Sequence, residues 1–189
     1  MYALLKHIST QRYVLVCSTH ISCAWQTPSK QIAQQQCILN MTKTLLATIT
    51  AKLKIRNISF LLAGDFNAQP TSGLYRLVVD GTLDPAHPDA LPNSPNGADV
   101  SQVRMPFPLA HTLSLRSAYG DKLGGEPACT NYKPDFKGTL DYIFYQPASV
   151  RVESVLALPS EAELALQSGI PDDRHPSDHV ALVAQFAFV

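Results

Sequence analysis

Several ordinary features are missing from this chain of 189 residues, and each absence removes a class of function. There is no net charge, because 15 Lys and Arg balance 15 Asp and Glu. A balanced chain surrounds itself with no global basic field, which argues against non-specific binding of duplex DNA and leaves room only for a local basic groove. No apolar run approaches the roughly 20 residues of a spanning helix. The first residues show neither the apolar block and cleavage site of a signal peptide nor an Arg-rich transit pattern. The four cysteines, Cys17, Cys23, Cys37 and Cys129, never fall at Cys-x-x-Cys spacing. A zinc cluster is therefore not expected, and reduced thiols in an intracellular protein are. No internal repeat is visible.

What is present is a chain that is 46% hydrophobic, enough to bury one core within a single domain. Its centre is the run Ile58-Ser59-Phe60-Leu61-Leu62-Ala63, followed by Gly64-Asp65-Phe66-Asn67-Ala68-Gln69-Pro70. An apolar run with so little polar interruption suits a strand covered on both faces. Gly64 leaves room beside the backbone, and Pro70 stops the ladder. Asp65 and Asn67 lie two apart, so they share a face if the extended geometry persists. Taken alone, the pair fits turn chemistry as well as it fits a site.

Around this centre the pattern predicts two strands, 3–8 and 13–17, about a polar turn at 9–12. An amphipathic helix is expected over 29–54, with Thr27-Pro28-Ser29 as its cap and stop, and Ile32, Leu39, Leu46, Ile49 and Leu53 as its buried stripe. Strand, helix and strand then make one packed unit. A short helix over 71–81 should close at Gly81. The stretch at about 82–108, rich in Pro, Asn, Asp and Ser, reads as a long flexible surface loop. Glu161 and Glu163 with Leu158, Leu164 and Leu166 suggest a short connecting helix. Two more apolar strands carry polar groups at their mouths: Asp141 in Gly138-Thr139-Leu140-Asp141-Tyr142-Ile143, and Asp178-His179 in His175-Pro176-Ser177-Asp178-His179-Val180.

Gly64-Asp65-Phe66-Asn67, then Leu140-Asp141-Tyr142-Ile143, then Ser177-Asp178-His179, in that order, resemble the endonuclease/exonuclease/phosphatase superfamily of metal-dependent phosphodiesterases. Gly125-Glu126-Pro127-Ala128-x-Thr130-Asn131-Tyr132, Phe136-x-Gly138 and Leu158-Pro159-Ser160-x-x-Glu163 extend the likeness toward its deadenylase branch, which holds Ccr4, Nocturnin, Angel and the 2',5'-phosphodiesterases. The resemblance implies an α/β fold, the C-terminal part of a four-layer α/β sandwich of the DNase I-like kind, with 1–189 as a partial domain that leaves an apolar sheet face open. It implies Mg2+ as cofactor, in keeping with carboxylate rather than thiolate donors. Asp65 would orient and deprotonate the attacking water and, with Asp178, approach the metal. Asn67 would donate to a phosphate oxygen, His179 would face the scissile phosphate with Asp141 on its other ring nitrogen, and His20 and Asn131 would contact substrate.

The implied partner is RNA or oligoadenylate, cleaved either as a poly(A) exonuclease or as a 2',5'-oligoadenylate hydrolase, with no membrane and no duplex DNA involved. The compartment would be mitochondrial if it follows the nearest relatives and cytoplasmic otherwise. Three departures accompany the likeness. Ser18 stands where the family has Asn, Gln31-Ile32-Ala33-Gln34 lacks the family's Arg, and nothing in Met1 to His20 matches the Asn and the principal Glu ligand of the N-terminal half. The chain is accordingly expected to begin inside the domain and, by itself, to turn over no oligoadenylate. The alternative is a non-catalytic segment that binds nucleotide or a protein partner.

Overall fold

The computed structural model describes residues 1–92, 105–165 and 169–189. The chain runs β1 (Tyr2–Lys6), β2 (Tyr13–His20), α1 (Pro28–Leu53), β3 (Ser59–Asp65), α2 (Gly73–Asp80), β4 (Arg116–Ser117), α3 (Ala118–Leu123), β5 (Asn131–Lys133), β6 (Phe136–Gly138), β7 (Asp141–Tyr145), β8 (Val150–Val155), α4 (Glu161–Leu164) and β9 (Ala184–Phe188). Five strands form one mixed sheet in the order β1-β2-β3-β7-β4, with β5-β6 and β8-β9 as separate pairs. α1 crosses over between the parallel neighbours β2 and β3, as a parallel connection requires. The apolar run therefore becomes the central strand. Among the described residues no helix is long and apolar enough to cross a membrane.

One face of the sheet is dry. Phe60 and Leu62 of β3, Leu15 and Cys17 of β2 and Phe144 of β7 lie within a core that also takes in Ile32, Leu39 and Ile49 of α1 and Leu74, Leu77 and Val78 of α2. Phe66, Tyr142 and Phe144 pack their rings 5.2–5.7 Å apart beneath the end of β3, edge-on or stacked as ring quadrupoles prefer. Burying each such ring contributes on the order of 2–3 kcal/mol. That cluster is the rigid floor under the residues that follow Gly64.

Two expectations about α1 need correction. Thr27 supplies no side-chain cap; the helix starts on Pro28, and Lys30 N–H donates to the Thr27 carbonyl at 2.9 Å. Leu53, assigned to the buried stripe, is exposed, because the helix ends there and Lys54 turns the chain away in the left-handed conformation. Three glutamines share the buried face instead. Gln31 donates to the Ser22 and Asn67 carbonyls, Gln36 donates to the Ala110 carbonyl, and Gln35 is fully enclosed. Periodicity of apolar residues cannot reveal Gln31 and Gln36, since loop carbonyls needing donors put them there; among the described residues nothing pairs with the Gln35 amide.

α2 begins at Ser72, whose hydroxyl accepts from Tyr75 N–H at 3.2 Å, and closes on Gly81 at φ 76°. Of the loop expected at about 82–108, residues 93–104 lie outside the described residues, as does Leu166 of the connecting helix. The preceding part is tied down rather than free. Leu83 and Ala90 are buried, and the Asp89 carboxylate accepts from Gly73 N–H at 2.7 Å.

The second sheet face is only partly covered. Leu61, Ile143 and Tyr145 pack against Val150, Val152, Phe186 and Phe188 of the β8-β9 pair. Beyond that pair, Leu5, Val14 and Val16 line a cavity of about 700 Å³ with Leu61, Phe186 and Phe188. The apolar face expected from the sequence is present at this position.

The close fit of β3 to β2 rests on Gly64. Its φ is +142°, and a Cβ there would sit 1.9 Å from the Thr19 carbonyl oxygen. Gly64→Ala is expected to destabilise the protein by about 3 kcal/mol or more, read as a lowered urea midpoint with an unchanged slope.

Candidate active site

Sheet register alone brings two carboxylates together. β3 and β7 run antiparallel with Asp65 opposite Asp141, and the parallel register of β2 sets His20 beside Asp65. Because alternate residues share a face, all three side chains emerge on the second, partly open face. His20 Nε2 lies 3.4 Å from Asp65 Oδ2.

Asn67 departs from the extended geometry at φ 48°, a left-handed turn that Asn tolerates. Its backbone N–H donates to Asp65 Oδ1 at 2.7 Å, and its side-chain Nδ2 donates to the Ile21 carbonyl at 2.8 Å and to Asp65 Oδ2 at 3.3 Å. The turn and the site are therefore one structure.

His179 does not stand at a strand mouth, contrary to expectation. β9 starts only at Ala184, and the Asp178-His179 step is carried by a loop pinned to β5. Asn131 and His179 form an isolated bridge, Tyr132 N–H donates to the Asp178 carbonyl at 3.2 Å, and Val180 N–H donates to the Thr130 carbonyl at 2.7 Å. Upstream, Asp172 Oδ1 accepts from Arg174 and His175 N–H and closes a turn before Pro176.

That pinning swings the imidazole between the carboxylates. His179 Nδ1 is 2.8 Å from Asp141 Oδ2, and Nε2 is 3.9 Å from Asp65 Oδ2. One ligand atom from each of Asp65, Asp141 and His179 falls within 4.8 Å of the other two. Asp178 is turned elsewhere. Its carboxylate accepts from Asn131 Nδ2 at 3.3 Å and lies outside this three-residue group. Asn131 is buried, and among the described residues its Oδ1 has no partner.

The sequence pointed to Thr130 only as part of the Thr130-Asn131-Tyr132 motif of the family likeness. Thr130 is fully buried, its hydroxyl accepts from Leu140 and Asp141 N–H at 2.9 and 3.1 Å, and so its own hydrogen goes to Asp141 Oδ2 at 2.6 Å. Asp141 is thus held on one oxygen by Thr130 and His179 together. Only a small hydroxyl residue immediately before Asn131 hinted at this.

Among the described residues, the ion pairs of Asp65 and Asp141 are to histidines alone. Burial raises the Asp65 carboxyl above its ordinary 3.8, the Asn67 N–H pulls it down, and the Asp141 charge adds to the rise. Two close carboxylates without Lys or Arg, offering hard oxygens, suit a divalent cation such as Mg2+.

The sequence signature of the Endonuclease/Exonuclease/phosphatase family matches residues 39–179. The chain is 40% identical over 126 residues to 2',5'-phosphodiesterase 12 of Mus musculus, a match covering 67% of this chain and 19% of that protein. It is 32% identical over 194 residues to Carbon catabolite repressor protein 4 homolog 1 of Arabidopsis thaliana, covering 93% of this chain and 30% of that one. The chain therefore spans about a fifth to a third of the length of these relatives. Among solved structures, ANGEL2, a 2',3'-cyclic phosphatase, in complex with adenosine-2',3'-vanadate, superposes with a TM-score of 0.73 at 24% identity, over 98% of this chain and 60% of that one. The human Nocturnin catalytic domain gives 0.59 at 23% identity, over 98% and 51%. At these identities the two structures show the shared fold.

Two outcomes follow from the geometry. Thr130→Val removes the donor to Asp141 and strands the Leu140 and Asp141 N–H groups. The loss should be about 2 kcal/mol or more in chemical denaturation, with Thr130→Ser near wild type. Asp65 binds its proton more tightly folded than unfolded, so the stability it gives is full below about pH 3.9 and is lost as pH rises through the folded value. In metal-free protein, Asp65→Asn should raise Tm at pH 7, and the difference should vanish below about pH 4.

Proposed function

The chain belongs to the Endonuclease/Exonuclease/phosphatase family, in the branch of 2',5'-phosphodiesterase 12, Ccr4, Nocturnin and Angel, and from that premise we propose that residues 1–189 form part of a divalent-metal-dependent phosphodiesterase domain acting on RNA ends. The observation that carries this reading is the His179 ring set between Asp141 at 2.8 Å and Asp65 at 3.9 Å. An imidazole fixed on one nitrogen presents the other to whatever enters the space beside Asp65.

A scissile phosphate placed there would meet Nε2 of His179 on one side and Nε2 of His20 on the other. Asp141 holds Nδ1 of His179 as the donor, which fixes the tautomer, and Thr130 holds Asp141. Asp65 takes the proton of the attacking water. A carboxylate whose proton affinity burial has raised serves better as a general base than an exposed one. Asn67 does two things in sequence: its amide hydrogens are engaged by Ile21 and Asp65, so it orients Asp65 first and reaches a phosphate oxygen by exchanging the 3.3 Å contact. Asp65 would hold Mg2+, joined by Asp178 only once its carboxylate leaves Asn131, and the ion would supply charge neutralisation at the phosphate.

Support for an adenylate RNA end comes from two directions. The relatives' names specify 2',5'-phosphodiester, 3'-5'-exoribonuclease and 2',3'-cyclic phosphate chemistry, all at the sugar hydroxyls of RNA. A cavity of about 520 Å³, lined by His20, Ile21, Gln34, Ile38 and Phe107, adjoins the site and has the size and apolar walls a nucleoside needs.

The test is hydrolysis of 2',5'- and 3',5'-linked oligoadenylates by a protein carrying this segment, with Mg2+ and with EDTA. Asp65→Ala and His179→Ala are each expected to lower the rate by about 10²–10⁴-fold, and EDTA to abolish it. Near-normal rates in either variant would remove the assignment. Nucleotide binding without any metal-dependent turnover would favour the non-catalytic alternative.

A further inference from the structure

Formal neutrality hides a segregation of charge along the chain. The first acidic side chain is Asp65, so all 15 Asp and Glu lie at or beyond it, and residues 1–64 carry Lys and Arg alone. The fold gathers part of that cationic segment at one place. The β1-β2 turn, the end of α1 and the start of β3 enclose a concavity of about 650 Å³ lined by Gln11, Arg12, Tyr13, Lys54, Arg56 and Asn57. Lys6 stands over the Tyr13 ring at 5.6 Å, adding a further positive charge at the rim.

No carboxylate side chain lines this concavity, and among the described residues neither Lys54 nor Arg56 has an ion-pair partner. Arg12 alone is engaged, donating to the Val189 carbonyl at 2.6 Å with its guanidinium 4.6 Å from the Phe188 ring centre. Gln11, Lys54 and Asn57 all adopt positive φ, at 59°, 57° and 55°. A lysine kept at a helix end where glycine is the ordinary choice places its charge at this rim at a cost of about 1 kcal/mol.

We infer that this basic concavity is a docking site for the body of a single-stranded RNA whose end occupies the Asp65 site. The inference rests on the RNA-end reading and extends it from the reacting phosphate to the rest of the chain. The two places lie at opposite ends of the same strands: Val14 pairs with Ser59 beside the concavity, and His20 pairs with Asp65 at the site. Six residue steps at about 3.3 Å each put them on the order of 20 Å apart, within the span of the roughly 4–16 nucleotides that single-strand grooves track. Lys30, Lys43 and Lys52 are exposed along α1 between the two ends. Contacts of this kind bind the phosphate backbone regardless of sequence, and tyrosine supplies a face for a base.

The test is fluorescence anisotropy of labelled oligoadenylate in EDTA, where no turnover interferes, using the full chain. Lys54→Asn with Arg56→Gln keeps the left-handed turn and the Arg12 contact. This variant should bind an oligomer of roughly 20 nucleotides at least about tenfold more weakly, and its log K against log salt slope should fall by about 1.4. Binding of a trinucleotide should change by less than about twofold. Equal affinity of wild type and variant for the long oligomer would overturn the docking site while leaving the Asp65 reading intact. Failure of the wild type to bind any oligoadenylate would overturn both. Vesicles containing phosphatidylserine form the third arm. If they bind wild type but not the variant while RNA binding is unchanged, the surface faces a membrane and the RNA proposal falls.

Discussion

A half-buried carboxylate at the end of the central strand sets the terms for everything around it. Asp65 is half withdrawn from water because β2 and β7 flank the end of β3, and the charge it keeps there is costly. The neighbours divide into those that lower the cost and those that raise it. The Asn67 N–H donates to it and the His20 and His179 rings face it, while Asp141, directly across the ladder, opposes it. A fold selected for stability alone would not place two aspartates opposite each other in an antiparallel pair, since like charges there repel. That placement makes sense where a cation or a proton comes and goes.

Much of this was legible in the chain, and the legible part follows from short-range rules. The run from Ile58 to Ala63 reads as a strand covered on both faces; a strand does form, over Ser59–Asp65 and through Gly64, but only Ser59, Phe60 and Leu62 are buried, because the face bearing Leu61, Ala63 and Asp65 is only partly covered. Asp141 at the mouth of a strand followed from the apolar residues after it. What could not be read was anything fixed by partners distant in sequence. Gln31 and Gln36 of α1 answer to carbonyls of Ser22, Asn67 and Ala110, which no helical wheel can display. Thr130 matters only because the β5-β6 turn brings it under Asp141. His179 read as a strand residue because Val180-Ala181-Leu182-Val183 follows it, yet one bridge to Asn131 and two backbone bonds hold it in a loop.

The Asp65-Asn67 step shows why the two readings of that pair never excluded each other. An Asp whose side chain accepts the N–H two residues on is a turn former, and the same bond orients its carboxylate. Turn chemistry here preorganises the site. The aromatic floor of Phe66, Tyr142 and Phe144 fixes the backbone below, so the carboxylate has little freedom left to lose when substrate or metal arrives. Gly64 completes the arrangement by letting β2 approach closely enough for His20 to reach Asp65.

Strand periodicity also ties the chemistry to the open face. Asp65 shares its side of β3 with Leu61 and Ala63, Asp141 shares its side of β7 with Ile143 and Tyr145, and His20 shares its side of β2 with Val14 and Val16. The polar site and the uncovered apolar cavity are thus two ends of one surface. Any layer that packs on Val14, Val16 and Leu61 beyond the β8-β9 pair must also extend toward the carboxylates and wall them from water. Excluding water strengthens every charge interaction among Asp65, Asp141, His20 and His179, because the effective dielectric falls. Covering the apolar face and sharpening the electrostatics of the site are therefore the same physical event, and the two-residue repeat of the strand makes it so.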